Sequence, residues 1–180
     1  EYCVANPVDP NDKGQPVGYG LEHFVSDAQS SFYQVNFENI GTAAATRVDI
    51  TDTLDTDLDL ATLELREIVF SGVKVEVPAG RTHYDTRLQL GPEFNNILAD
   101  VSVDVDVPTR QIKWTIRAID PATGEQPVSW DVGLLAPCAS PPCDPAGTDA
   151  HKRQGYVNYV IKPMGDTPTG ALITNSASIV

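Results

Sequence analysis

Apolar and polar residues alternate with a period of two through most of the chain. Tyr33, Val35 and Phe37 alternate with Gln34, Asn36 and Glu38, and Val48, Ile50 and Leu54 with Asp49, Thr51 and Thr53. Val73, Val75 and Val77 repeat the pattern, followed by Val101, Val103, Val105 and Val107, then Ile112, Trp114 and Ile116, and last Ile173, Ala177 and Ile179. Successive side chains of a strand point to opposite faces, so this spacing predicts half-buried strands. Between the runs stand Asn39-Ile40-Gly41, Pro78-Ala79-Gly80, Gly91-Pro92, Val107-Pro108-Thr109-Arg110, Asp120-Pro121-Ala122-Thr123-Gly124 and Pro168-Thr169-Gly170, where Gly and Pro suit a reversal of the backbone. No window carries a long helical stripe; the best, 60–69, places Leu63, Leu65 and Val69 equally well on a strand. Many short strands between regular turns predict an all-β fold, an Ig-like two-sheet antiparallel β-sandwich with loop insertions at 88–96 and 136–155. Residues 1–180 read as one domain, with 1–13 as entry linker or first strand.

Composition narrows the partners. The 25 acidic and 12 basic side chains give a formal net charge of −13, which removes nucleic acid as the default partner, because that surface needs clustered Lys and Arg. A chain of 180 residues fits one domain. No stretch approaches the ~20 apolar residues of a membrane-spanning helix, so membrane insertion is not expected. A hydrophobic content of 41% with 14 prolines fits a folded, loop-rich domain. The absence of an initiator Met and the strand-like Ala177-Ser178-Ile179-Val180 lead us to expect a piece of something longer.

Cys138 and Cys143 stand with four residues between them in a Pro-rich loop, a small ring that a disulfide would stiffen. Two free thiols are one alternative. Zinc, with His151 as third ligand, is another, although a fourth ligand is not apparent. Cys3 has no evident partner.

Several segments carry a resemblance. Asp9-Pro10-Asn11-Asp12-Lys13, Phe37-Glu38-Asn39, 48–55, Trp114 with 118–125, and Pro168-Thr169-Gly170 followed by 173–180 resemble, in order and over nearly the whole chain, the Ig-like repeats of large bacterial cell-surface proteins. The Cys138 to Cys143 loop departs from that pattern as an insertion. The resemblance implies an extracellular or cell-surface location and neighbouring copies or adjacent repeats as partners.

The resemblance to collagen-adhesin-type domains also implies a chemistry. In those domains a Lys near the first strand attacks an Asn in the last, and a buried acid relays the proton. Here Lys13, Asp52 and Asn175 stand in that order. Strand parity places Asp52 on the same face as Val48, Ile50 and Leu54, and Asn175 on the same face as Ile173, Ala177 and Ile179. Burying such groups costs several kcal/mol unless each finds a partner. An apolar site lowers a lysine pKa and raises that of a carboxylic acid, as an attack by neutral amine requires. Two readings compete with this one: a non-covalent buried polar cluster of the same residues, and separate structural roles, with Asp52 as a turn cap, Asn175 in a bulge or cross-strand hydrogen bond, and Lys13 as a solvated charge.

Two acidic clusters suit calcium, which takes six to eight oxygen ligands: Asp9, Asn11 and Asp12 at the entry, and Asp55, Asp57 and Asp59 after the Asp52 strand. Solvated faces are the alternative. Asp100, Asp104 and Asp106 alternate with valines and belong on an outer face. Turnover catalysis is not expected, since His23, His83 and His151 stand in no catalytic motif. A structural or assembly module is therefore the leading expectation. The other is an adhesin or carbohydrate-binding module with a glycan or protein ligand on a loop, for which Trp130 is the candidate platform.

Overall fold

A computed structural model describes residues 12–14, 29–138, 143–144, 147, 149–168, 170–174 and 176–180. Ten strands are present among them: β1 (Asp12–Gly14), β2 (Ser31–Glu38), β3 (Arg47–Thr53), β4 (Leu58–Phe70), β5 (Val73–Glu76), β6 (His83–Gln89), β7 (Leu98–Asp106), β8 (Gln111–Ile119), β9 (Gln154–Pro163) and β10 (Ser176–Ile179). They form two antiparallel five-stranded sheets, in the orders β1-β2-β9-β4-β5 and β10-β3-β8-β7-β6. The only helical segments among the described residues are single 3₁₀ turns at Pro92–Phe94 and Ala150–Lys152. The protein is a two-sheet antiparallel β-sandwich.

One core lies between the sheets because the inner faces follow the period of two, except in β4, where a register shift between Leu65 and Ile68 moves the inward phase by one residue. Tyr33, Val35, Phe37, Leu65, Ile68, Phe70, Val157, Tyr159 and Ile161 come from one sheet, and Val48, Ile50, Ala99, Val101, Val103, Ile112, Trp114, Ile116 and Ala118 from the other. Full burial of each large apolar side chain contributes roughly 1.5–3 kcal/mol. The window at 60–69 falls inside β4, whose length and pairing with β9 decide for strand. Val107 breaks its run, being 55% exposed where the chain turns at 107–110.

Two local features set the frame of the site. The β4–β5 hairpin closes through Ser71 (φ 49°) and Gly72 (φ 79°), and this pair of left-handed residues matches the twist of two-residue hairpins. Gly155 in β9 is required by a close approach, since a Cβ there would fall on the Phe37 ring and the Val69 carbonyl oxygen. β9 is thereby held tightly between β2 and β4, with Tyr159 directly opposite Tyr33 on one side and Leu65 on the other.

Candidate functional site

β3 carries Asp52 into the core, as its parity predicts. Its neighbours Val48 and Ile50 are buried, and Asp52 itself is 0% exposed. Lys13, in the short edge strand β1 opposite Val35, reaches inward over β2. Its Nζ lies 2.7 Å from both Asp52 carboxylate oxygens, and its side chain is only 10% exposed. The Tyr159 hydroxyl donates to Asp52 Oδ2 at 2.8 Å. The ammonium also sits 5.3 Å from the Tyr33 ring centroid and 5.7 Å from that of Tyr159, where the π faces attract a cation. Tyr159 stacks on Tyr33 at 5.3 Å and on Trp114 at 6.2 Å, so its ring is fixed from two sides.

This environment acts on both charges in opposite directions. Burial pushes the Lys13 pKa below that of an ordinary lysine, against the pull of Asp52. Burial likewise pushes Asp52 above the usual carboxylate range, against Lys13 and the Tyr159 hydroxyl. The Tyr33 phenol is raised by burial and by the nearby charges of Asp52 and Asp55. Burial thus disfavours the charged form of both members, while each favours the charge of the other.

Asn175 lies outside the described residues. Its neighbours in sequence are placed: Ser176 pairs with Thr53, and Ala177 pairs with Asp52. Asp55 Oδ2 accepts from the Thr174 backbone N–H at 2.7 Å and from the Thr174 hydroxyl at 3.1 Å. The loop that holds Asp55 is itself clamped by Arg110, whose guanidinium donates to the carbonyl oxygens of Leu54, Asp55 and Leu58.

The remaining sequence candidates separate. Asp9, Asn11, Cys3 and His23 lie outside the described residues, as does the side chain of Asp12. Asp55, Asp57 and Asp59 do not converge as the calcium reading expects. Asp55 Oδ1 accepts the Asp57 N–H and Asp59 Oδ1 the Ala61 N–H, so these carboxylates cap backbone donors at the start of β4. Among the described residues no group of three or more His, Cys, Asp or Glu is arranged to hold a metal ion. Cys138 and Cys143 form a disulfide with a Cα–Cα distance of 5.8 Å, which sets aside the zinc and free-thiol alternatives for that loop. His83 bridges Asp104 and Asp85 on an exposed face. Trp114 is core, whereas Trp130 is 67% exposed beside a fully exposed Val128.

Tyr159 is the site residue that the sequence reading did not select. Its signal was weak: 156–161 reads Tyr-Val-Asn-Tyr-Val-Ile, an apolar run broken only by Asn158, and it is the structure that shows Val157, Tyr159 and Ile161 buried.

A two-sheet sandwich with a lysine and an aspartate paired in its core is the class that the geometry defines. The chain belongs to the family described as Domain of unknown function (DUF7619), whose model matches residues 9–103 and so includes Lys13 and Asp52. Among solved structures it is similar to the "collagen-binding domain from a Staphylococcus aureus adhesin", with 13% identity and a TM-score of 0.43, over 94% of this chain and 83% of that one. A likeness that shallow carries no functional weight. No curated protein matches the chain. No helix among the described residues is long and apolar enough to cross a membrane.

Proposed function

We propose that the domain is a non-catalytic structural module of an extracellular or surface protein, stapled by an intramolecular amide between Lys13 and Asn175. The observation that carries this reading is the buried Lys13–Asp52 pair beneath the Tyr33 and Tyr159 rings. A buried ion pair is a poor source of stability compared with apolar packing, so its presence calls for a chemical reason. Lys13 passes a proton to Asp52, and the neutral amine attacks the Asn175 side-chain carbonyl carbon. The Asp52 carboxylic acid then donates to the amide oxygen. Collapse breaks the original C–N bond, and ammonia leaves with one hydrogen from Nζ. Lysine and asparagine end as an amide, and Asp52 ends protonated.

The mechanical consequence follows from topology. β1 lies at the edge of one sheet and β10 at the edge of the other. A covalent link from Lys13 to Asn175 would carry a pull applied at the two ends without loading the strands between them. The Cys138–Cys143 disulfide agrees with an oxidising compartment outside the cell. The intact mass of the parent, Lys13→Ala and Asp52→Ala proteins tests the staple. A parent lighter by one ammonia, with the deficit absent in both variants, is expected; a parent of unmodified mass refutes it.

One observation favours a second reading, that of an adhesin or glycan-binding module. Trp130 and Val128 are exposed on a loop held in place by the Ala44 N–H to Trp130 carbonyl bond at 2.7 Å. A glycan array with parent and Trp130→Ala proteins decides it: binding lost in the variant supports the platform, and a blank array for the parent removes it.

A further inference from the structure

We propose that Tyr159 is a positioning residue of this site, whose hydroxyl, by donating to Asp52 Oδ2, reserves Oδ1 as the oxygen that receives the Lys13 proton. The inference rests on the stapling reading given above. Lys13 alone does not distinguish the two carboxylate oxygens, since its Nζ is 2.7 Å from each. Tyr159 does, through its 2.8 Å bond to Oδ2. A proton on Oδ2 would require the phenol to turn and accept, giving up the donation to Oδ2 that the structure shows. With the proton on Oδ1, Oδ2 becomes the carbonyl oxygen of the acid and keeps the tyrosine hydroxyl as its donor, while Oδ1–H is available to the asparagine amide.

The hydroxyl is held where this selection needs it. Tyr159 is 0% exposed, and its ring is stacked on Tyr33 with an interplanar angle of 16° and on Trp114 with 28°. It stands on the central strand of its sheet, between β2 and β4. The ionisable groups around the carboxyl are Lys13 from β1, Tyr33 from β2, Tyr159 from β9 and, more remotely through its field on Tyr33, Asp55. The reactive form of the pair holds one proton between Lys13 and Asp52. A second proton, on Asp52 while Lys13 is still charged, blocks the transfer and sets the acidic limb of the rate profile. Loss of the tyrosine hydroxyl leaves the carboxylate one donor short, so it protonates more readily and that limb moves to higher pH.

The test follows bond formation in time. Chains unfolded in urea are diluted into native buffer at a series of pH values, quenched, and weighed intact. Tyr159→Phe is expected to lose ammonia about tenfold more slowly or worse, with its acidic limb displaced to higher pH, while Tyr156→Phe, whose hydroxyl meets Glu67 away from the site, keeps the parent profile. If Tyr159→Phe matches the parent in rate and profile, the positioning role is overturned and the staple stands. If the parent itself never loses ammonia, both fall. Should Tyr159→Phe fail to fold, parent chains carrying fluorotyrosine at every tyrosine provide a stronger donor of nearly unchanged shape. An acidic limb displaced to lower pH then supports the role, and an unmoved profile overturns it.

Discussion

The inner and outer faces of the sheet β10-β3-β8-β7-β6 both carry ion pairs, yet under opposite conditions. Inside, one lysine meets one aspartate in a setting that excludes water from the carboxylate and caps the ammonium with aromatic rings. Outside, a row of Arg47, Arg117, Asp100 and Arg87 runs across four strands in register. Its arginines are half-exposed or more, and Arg87 forms a two-point contact with Asp100 at 2.6 and 2.8 Å. Water and salt screen the outer row and let each charge relax alone. Little does so for the inner pair, so each member depends on the other. A similar distance between nitrogen and oxygen thus belongs to a screened surface row in one place and to a buried, mutually dependent couple in the other.

The largest expected effect comes from splitting the inner pair. In an Asn175→Ala background, which cannot form the proposed bond, Lys13→Met leaves Asp52 buried without its cation and should cost about 3–5 kcal/mol by urea unfolding. Adding Asp52→Leu to that protein should recover most of the loss. If Lys13→Met alone is harmless, the pair is not the buried couple described here.

A smaller effect is expected from the packing that closes the site. Gly155→Ala pushes against Phe37 and the backbone of Val69, at a cost of about 1–3 kcal/mol. Urea unfolding of the same background checks it, and an unchanged midpoint would mean that β9 yields freely and does not hold Tyr159 rigidly.

The pH response of the two regions should differ in sign. Asp49 and Asp100 lie below the usual carboxylate pKa because of their arginines, through Arg47 and Arg87 first. Their contribution to stability is therefore present above the usual carboxylate pKa and lost as the pH falls through their lowered values. Asp52 is raised by burial. Its contribution is full below the unfolded-state pKa and declines as the pH rises toward and through the raised value. In the Asn175→Ala background, the stability difference caused by Asp100→Asn should shrink on acidification, whereas Asp52→Asn should change it in the opposite direction. Denaturation series from about pH 3 to pH 8 measure both; parallel curves would erase the contrast between the faces.

The smallest effect is expected outside. Arg87→Ala should leave the unfolding midpoint nearly unchanged at moderate salt, because the pair it breaks is solvated. A loss comparable to that of Lys13→Met would show that the outer row is a coupled network instead of a screened surface.

Particular residues show how far the sequence could be read. Asp52 was legible because it falls in phase with Val48 and Ile50, and a carboxylate in an apolar phase is a conspicuous exception. Trp114 was legible in the same way. Trp130 was not, because 127–131 has no alternation and a tryptophan there fits either a packed or an exposed loop. Asp55, Asp57 and Asp59 looked like a ligand cluster in one dimension, but the carboxylates of Asp55 and Asp59 turn back to nearby N–H groups. Tyr159 was overlooked because 156–161 is almost continuously apolar, and a tyrosine in such a run is ordinary until its hydroxyl partner is known.

Local periodicity alone determined that this chain forms strands, which faces turn inward, and that an acid is carried into the core. Those properties depend on neighbours two residues apart, whose directions the pleated backbone fixes. Who meets whom depends on sheet order and register. Lys13 reaches Asp52 across 39 positions and Tyr159 reaches it across 107, contacts set by the packing of two sheets. The hydroxyl that distinguishes one carboxylate oxygen from the other belongs to that second kind of information. No spacing in the chain encodes it, because it arises only when β9 is pressed between β2 and β4 opposite β3 and β8.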